Sequence, residues 1–159
     1  MQNLSNRAII SRLYSAANQH LEAANINIDQ WSNWYTSVQD LILPEKMVYV
    51  IVHLNKAVTE GGFEAFYTNN LGIFAPEIVH ALNEIQATET ADIVERTLHI
   101  VNPDGLLDDA FKEFVFNVTL SESQVKQLYA QDVRYDQLHG NENLEDLLGD
   151  YLKSMISLG

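Results

Sequence analysis

The chain has no cysteine, which excludes disulfides and a thiolate nucleophile. No apolar run approaches the ~20 residues that a membrane-spanning helix needs. The opening Met1-Gln2-Asn3-Leu4-Ser5-Asn6-Arg7 lacks the hydrophobic region of a signal peptide. Cations are scarce: nine Lys and Arg stand against 22 Asp and Glu, a net charge of −13. Internal repeats and low-complexity linkers are also missing. Together these absences predict a soluble, cytoplasmic, bacterial-type protein that neither spans a membrane nor binds nucleic acid directly.

What is present is an ordinary globular composition, 159 residues with 47% apolar. That length suits one domain burying about two-thirds of its unfolded surface. The charge is unevenly spread. Residues 1–83 hold seven acids and four Lys/Arg, a net of −3, whereas residues 84–150 hold 15 acids and four Lys/Arg, a net of −11. Such a field repels DNA and anionic membranes and attracts basic proteins. A solvated, solubilising face accounts for the same charge.

Apolar periodicity predicts an all-α fold, a single compact bundle of about six to eight helices over residues 1–159. Residues 4–24 carry Ile9, Leu13, Ala16, Ala17, Leu21 and Ala24 on one stripe. Asn25-Ile26-Asn27 is a turn, and Asp29 is the expected N-cap of a helix holding Trp31, Trp34, Tyr35, Val38 and Leu41. The next helix starts at Pro44. Its run Val48-Tyr49-Val50-Ile51-Val52 is strand-like in composition, but a periodic segment of about 16 residues is too long for a buried strand. Gly61-Gly62 is the expected C-cap. Phe63, Phe66 and Tyr67 continue at helical spacing to a second stop at Asn69-Asn70-Leu71-Gly72. Pro76 opens a helix with Ile78, Val79, Leu82 and Ile85, and Thr88 is the expected N-cap of one ending before Asn102-Pro103-Asp104-Gly105. Residues 106–118 fit a helix or an extended segment. Ser121 and Gln124 form a capping box for a helix with Val125, Leu128, Tyr129 and Val133 on its apolar stripe. His139-Gly140-Asn141 breaks the chain before a last helix with Leu144, Leu147, Leu148, Tyr151, Leu152 and Met155 inward and Glu142, Glu145, Asp146, Asp150 and Lys153 outward.

One stretch carries a resemblance. It comprises Lys46-Met47-Val48-Tyr49-Val50-Ile51, then Gly61-Gly62-Phe63-x-x-Phe66-Tyr67-x-Asn69, Gly72, Ala75-Pro76-Glu77 and Ala81-Leu82-x-x-Ile85. Over roughly residues 40–101 the chain resembles a bacterial family of uncharacterised domains named after the C-terminal region of a DNA-mimic protein. The resemblance implies an all-helical domain with no catalytic residues to carry over. It also implies DNA mimicry in one branch, where an acidic surface occupies a DNA-binding protein's basic face. The flanks divide into N-terminal helices at 1–39 and acidic C-terminal helices at 102–159.

Catalytic constellations are thin. Glu77 and His80 stand at the Glu-x-x-His spacing used in bundle metal sites, but the only other pair, Glu95 and His99, is spaced i, i+4. His53, between Val52 and Leu54, reads as a hydrogen-bonded core or boundary histidine. The adjacent acids Asp108-Asp109 and Glu145-Asp146 point about 100° apart on a helix, which does not suit a shared catalytic site. No phosphate loop and no Gly-x-Ser-x-Gly elbow is present. No cofactor or metal is expected, and the chain reads as non-enzymatic.

Carboxylates at i, i+3/i+4 and i+7/i+8 recur about every 5–6 Å along a helix axis, a row comparable to the phosphates of a DNA strand. Glu142, Glu145/Asp146 and Asp150 have that spacing, as do Asp104, Asp108/Asp109 and Glu113 on a helical reading, with Asp92 and Glu95 extending the row. These ten acids are the expected partner-binding face. The leading expectation is an acidic protein-interaction domain whose partner is a basic protein, DNA-binding proteins being the first candidates. The alternatives are an immunity- or antitoxin-like protein neutralising a basic toxin, and a metal-dependent enzyme with its site near Glu77 and His80, in a cleft with Tyr49 and Tyr67.

Overall fold

The computed structural model describes residues 4–138 and 140–158. Among the described residues there are eight α-helices and no strand: α1 Asn6–Ala23, α2 Trp31–Gln39, α3 Leu43–Thr68, α4 Ala75–Glu84, α5 Thr88–Val101, α6 Asp108–Val115, α7 Glu122–Leu138 and α8 Leu144–Leu158. A 3-10 turn, Leu71–Phe74, joins α3 to α4. The all-α bundle expected from periodicity is the fold observed.

α3 is the hub. It packs against α1, α4, α7 and the 3-10 turn, while α8 lies on α1 and α5 bridges α4 and α7. Being covered from several sides, α3 buries every residue from Met47 to Ile51. A helix apolar all round loses its amphipathic contrast, which is why this stretch looked strand-like. Fully burying a side chain such as Phe63 or Phe66 contributes about 1.5–3 kcal/mol, and both are inaccessible in the core beside Tyr67.

Local signals account for most boundaries. Ser5 Oγ accepts the Ala8 N–H at 3.1 Å and starts α1. Ser121 and Gln124 form the reciprocal capping box, with bonds of 2.8 and 3.1 Å. Asn25 and Asn70 take positive φ where turns were expected. Of the expected break at 139–141, His139 lies outside the described residues, and Gly140 and Asn141 form a turn.

The expected break at Gly61-Gly62 is present: Gly62 takes a left-handed φ of 74° (ψ −177°), the helix kinks there, and a second helical stretch runs on to Thr68. Three expectations fail, wholly or in part, for identifiable reasons. Asp29 does not cap α2. The N-cap is Gln30, with no side-chain bond, because Asn27 Oδ1 takes the Asp29 N–H into a tight turn at 3.0 Å. Thr88 is the first residue of α5 rather than its cap, which is Ala87. Finally, the apolar residues assigned to α7 are only partly inward. Leu128 and Tyr135 are buried, whereas Tyr129 is 67% and Val133 40% exposed. Residues 106–118 divide between the two readings: α6 covers Asp108–Val115, and Phe116 turns extended (φ −71°, ψ 126°).

Candidate interaction surface

Seventeen of the 22 acidic residues are exposed. Of the rest, Glu45 is buried and accepts from His20 Nδ1 at 2.6 Å. The ten acids expected to form one face have different local roles.

On α8, Glu145 pairs with Arg7 of α1 at 2.9 Å, and Asp150 accepts from Asn6 Nδ2 at 3.3 Å. Glu142 precedes α8 and is not on its outer face. Its carboxylate reaches α5 instead, accepting the Glu89 N–H at 3.1 Å, the Thr90 N–H at 2.7 Å and the Thr90 hydroxyl. Asn143 caps α8, its Oδ1 accepting the Asp146 N–H at 3.0 Å, and the Asp146 side chain is exposed. On α5, Asp92 binds Arg96 at 2.9 Å and Arg134 of α7 at 3.5 Å. The hydrogen bond from Arg96 is the main reason its carboxyl lies below the usual value. Glu113 accepts from Trp31 Nε1 at 3.1 Å. Asp104 sits in the exposed turn before α6, outside the helix. The regular rows therefore shorten to Asp108/Asp109 with Glu113 and Glu145/Asp146 with Asp150.

One group converges. Glu95 of α5, Asp108 of α6 and Glu77 of α4 line a groove of about 390 Å³ with Tyr35, Phe111 and Lys112. The Tyr35 hydroxyl donates to Glu77 Oε2 at 2.5 Å. Burial first, then that bond, then the carboxylates of Glu77, Asp109 and Asp108 raise the Tyr35 pKa far above its ordinary value. The Lys112 ammonium lies 4.3 Å over the Tyr35 ring and 4.0 Å from Asp109. Leu107, in the same groove, is 75% exposed, and Phe114 farther along α6 is 45% exposed. Glu145 lines a different cavity, of about 450 Å³, with Arg7, Tyr14 and Lys56. The expected acids thus do not form one face: Glu95 and Asp108 line one groove and Glu145 another, while Asp92, Glu113 and Glu142 are engaged in contacts of their own.

The residues of the enzyme reading do not share a cleft. Glu77 and His80 line a cavity of about 550 Å³ with Lys46 and Glu84. Tyr49 lines another with His53, and Tyr67 is fully buried, bonded to Thr97 Oγ1 at 2.8 Å. Among the described residues no three His, Asp or Glu converge as metal ligands. His53 is half-buried and hydrogen-bonded to the Tyr14 hydroxyl at 3.2 Å, a boundary histidine as expected.

Sequence reasoning missed Asp132. At the Gly62 kink the Phe63 N–H has lost its helical acceptor, and Asp132 Oδ1 of α7 takes it at 2.7 Å. A Cβ on Gly62 would run into that carboxylate. The available signal was the double glycine inside a periodicity that resumes at Phe63 and Phe66. Gly72 answers to the same logic of close approach, since a Cβ there would stand 2.5 Å from the Tyr67 ring and 3.0 Å from Val115 of α6.

The profile of the family described as DMP19-like protein matches residues 39–155. The chain belongs to that family. No curated protein and no solved structure matches it. The DMP19-like match extends well past residue 101 and takes in α3 to α7 and α8 as far as Met155, leaving α1 and all of α2 but Gln39 outside. The glycines and aromatics quoted for the resemblance hold the DMP19-like core and its kink. No helix of the described residues is long and apolar enough to cross a membrane.

Proposed function

We propose that the chain is a non-enzymatic protein-binding domain that presents carboxylates to a basic partner. The observation that carries this reading is the pair Glu95 and Asp108 lining one groove with exposed Leu107, with Asp104 and Asp109 exposed on the adjoining chain segment. Charge alone suits solvation, whereas charge interleaved with large exposed apolar side chains suits a protein interface. Asp109 lies 4.0 Å from Lys112, which also lines the groove with Glu95 and Asp108. The finer reading is that the partner binds DNA through the surface this group engages. Membership of the DMP19-like family and the resemblance to a DNA-mimic lineage support it.

The variant Glu95→Gln/Asp104→Asn/Asp108→Asn/Asp109→Asn removes four charges and keeps the shapes. Asn also tolerates the positive φ of Asp108 (53°). Partner capture from native lysate should be lost in this variant with helical content intact. Undiminished capture would overturn the reading. A partner sensitive to salt but indifferent to competing duplex DNA would fit a neutralised toxin better than a DNA-binding protein.

A further inference from the structure

The largest cavity described, about 690 Å³, lies between α3 and α7 at the Gly61–Gly62 kink and contains none of the acids predicted from sequence. Its charged lining is Glu60 and Glu64 from α3 and Asp132 and Asp136 from α7, with no Lys, Arg or His among the lining residues. Between these walls runs an apolar ridge. Val125, Tyr129 and Val133 recur every four residues on α7, and the last two are exposed. A ridge of i, i+4, i+8 side chains is what a further helix packs against. Glu60 and Glu64 on the facing wall, with Asp132 and Asp136 along the α3-facing edge of the ridge, call for a helix whose apolar stripe is bordered on that edge by Lys or Arg. The walls are helical, so strand addition at a sheet edge is not available here.

We infer that the groove between α3 and α7 docks a basic amphipathic helix of a partner protein. Its apolar stripe packs on Tyr129 and Val133, and the cations along its α3-side edge meet Glu60, Glu64 and Asp136. Asp132, engaged by the Phe63 N–H, forms the floor at the kink. This surface is separate from the α6 group, and the inference does not depend on it.

The test uses the full chain and two synthetic, fluorescein-labelled peptides patterned as amphipathic helices, one of Leu and Lys and the other of Leu and Glu. Binding is read by anisotropy at physiological salt, with circular dichroism as the check on folding. The wild type should bind the Leu/Lys peptide and not the Leu/Glu one. The charge-preserving variant Tyr129→Ser/Val133→Ser, and separately Glu60→Gln/Asp136→Asn, should each weaken binding about tenfold or more. Asp108→Asn/Asp109→Asn on α6 should change it less than about twofold. No binding by the wild type, undiminished binding by both groove variants, or equal loss in the groove and α6 variants would overturn the assignment. Loss in the α6 variant alone would overturn it too, while supporting the surface proposed in the previous section.

Discussion

Gly62 holds a backbone conformation, φ 74° and ψ −177°, that is essentially glycine's alone and costs other residues about 1–3 kcal/mol. Gly62→Ala should lower stability by at least that much, because the added methyl also collides with Asp132. Asp132→Ala should cost about 1–3 kcal/mol by leaving the Phe63 N–H without an acceptor, and Asp132→Asn should cost less. Urea midpoints of the three variants check this ordering. Two titrations of opposite sign accompany these contacts. Burial above all raises the Asp132 pKa. Its contribution to stability is thus present below the ordinary value of 3.8 and is lost as pH rises through the folded value. Burial, helped by Lys56, lowers His53 from 6.5 to about 4. Its contribution is present above 6.5 and lost as pH falls through about 4. Unfolding midpoints followed across that window should decline in the wild type, and His53→Gln should flatten the decline.

Among the elements, α5 depends on a residue far away in the chain. Glu142 satisfies the first-turn amides of Glu89 and Thr90 from 53 and 52 positions off. Glu142→Ala should cost about 1–2 kcal/mol, the usual loss on removing a cap. Hydrogen exchange should quicken at Glu89 and Thr90 before the rest of α5, whereas Asp146→Ala should stay within about 0.5 kcal/mol of wild type. The contrast marks what the sequence could disclose. The Ser121–Gln124 box and the Asn70 turn act on neighbours within a few residues, so they were legible. Glu142 acting on α5 and Asp132 acting on Phe63 are long-range contacts, and composition made both look like surface acids. Tyr129 and Val133 form a periodic stripe as good as that of Leu128 and Tyr135. Which stripe is covered depends on where α3 and α5 lie, and no local pattern encodes that. The four-acid group was only partly legible: the sequence supplied Glu95, Asp104, Asp108 and Asp109, but not their separation from Glu145 and Asp150, which face α1.

Across the whole molecule, a charge of −13 on a chain of 159 residues works against compactness through self-repulsion. The exposed ion pairs Arg7–Glu145 and Asp92–Arg96 offset little of it, since such pairs contribute about 0–1 kcal/mol. Raising NaCl from about 20 to about 500 mM shortens the screening length from roughly 20 to about 4 Å. The Tm should therefore rise by a few degrees, measurable by scanning calorimetry; a fall would mean that ion pairing outweighs repulsion. The same field is what would bring a basic partner to the surface, and that association is the central claim. The most direct measurement captures proteins from native lysate on the immobilised chain and on its Glu95→Gln/Asp104→Asn/Asp108→Asn/Asp109→Asn variant, at low and high salt, with duplex DNA as competitor. The account predicts a basic protein held by the wild type at low salt, released by salt and by DNA, and absent from the variant. The same protein held equally by both, or nothing held by either, would contradict it.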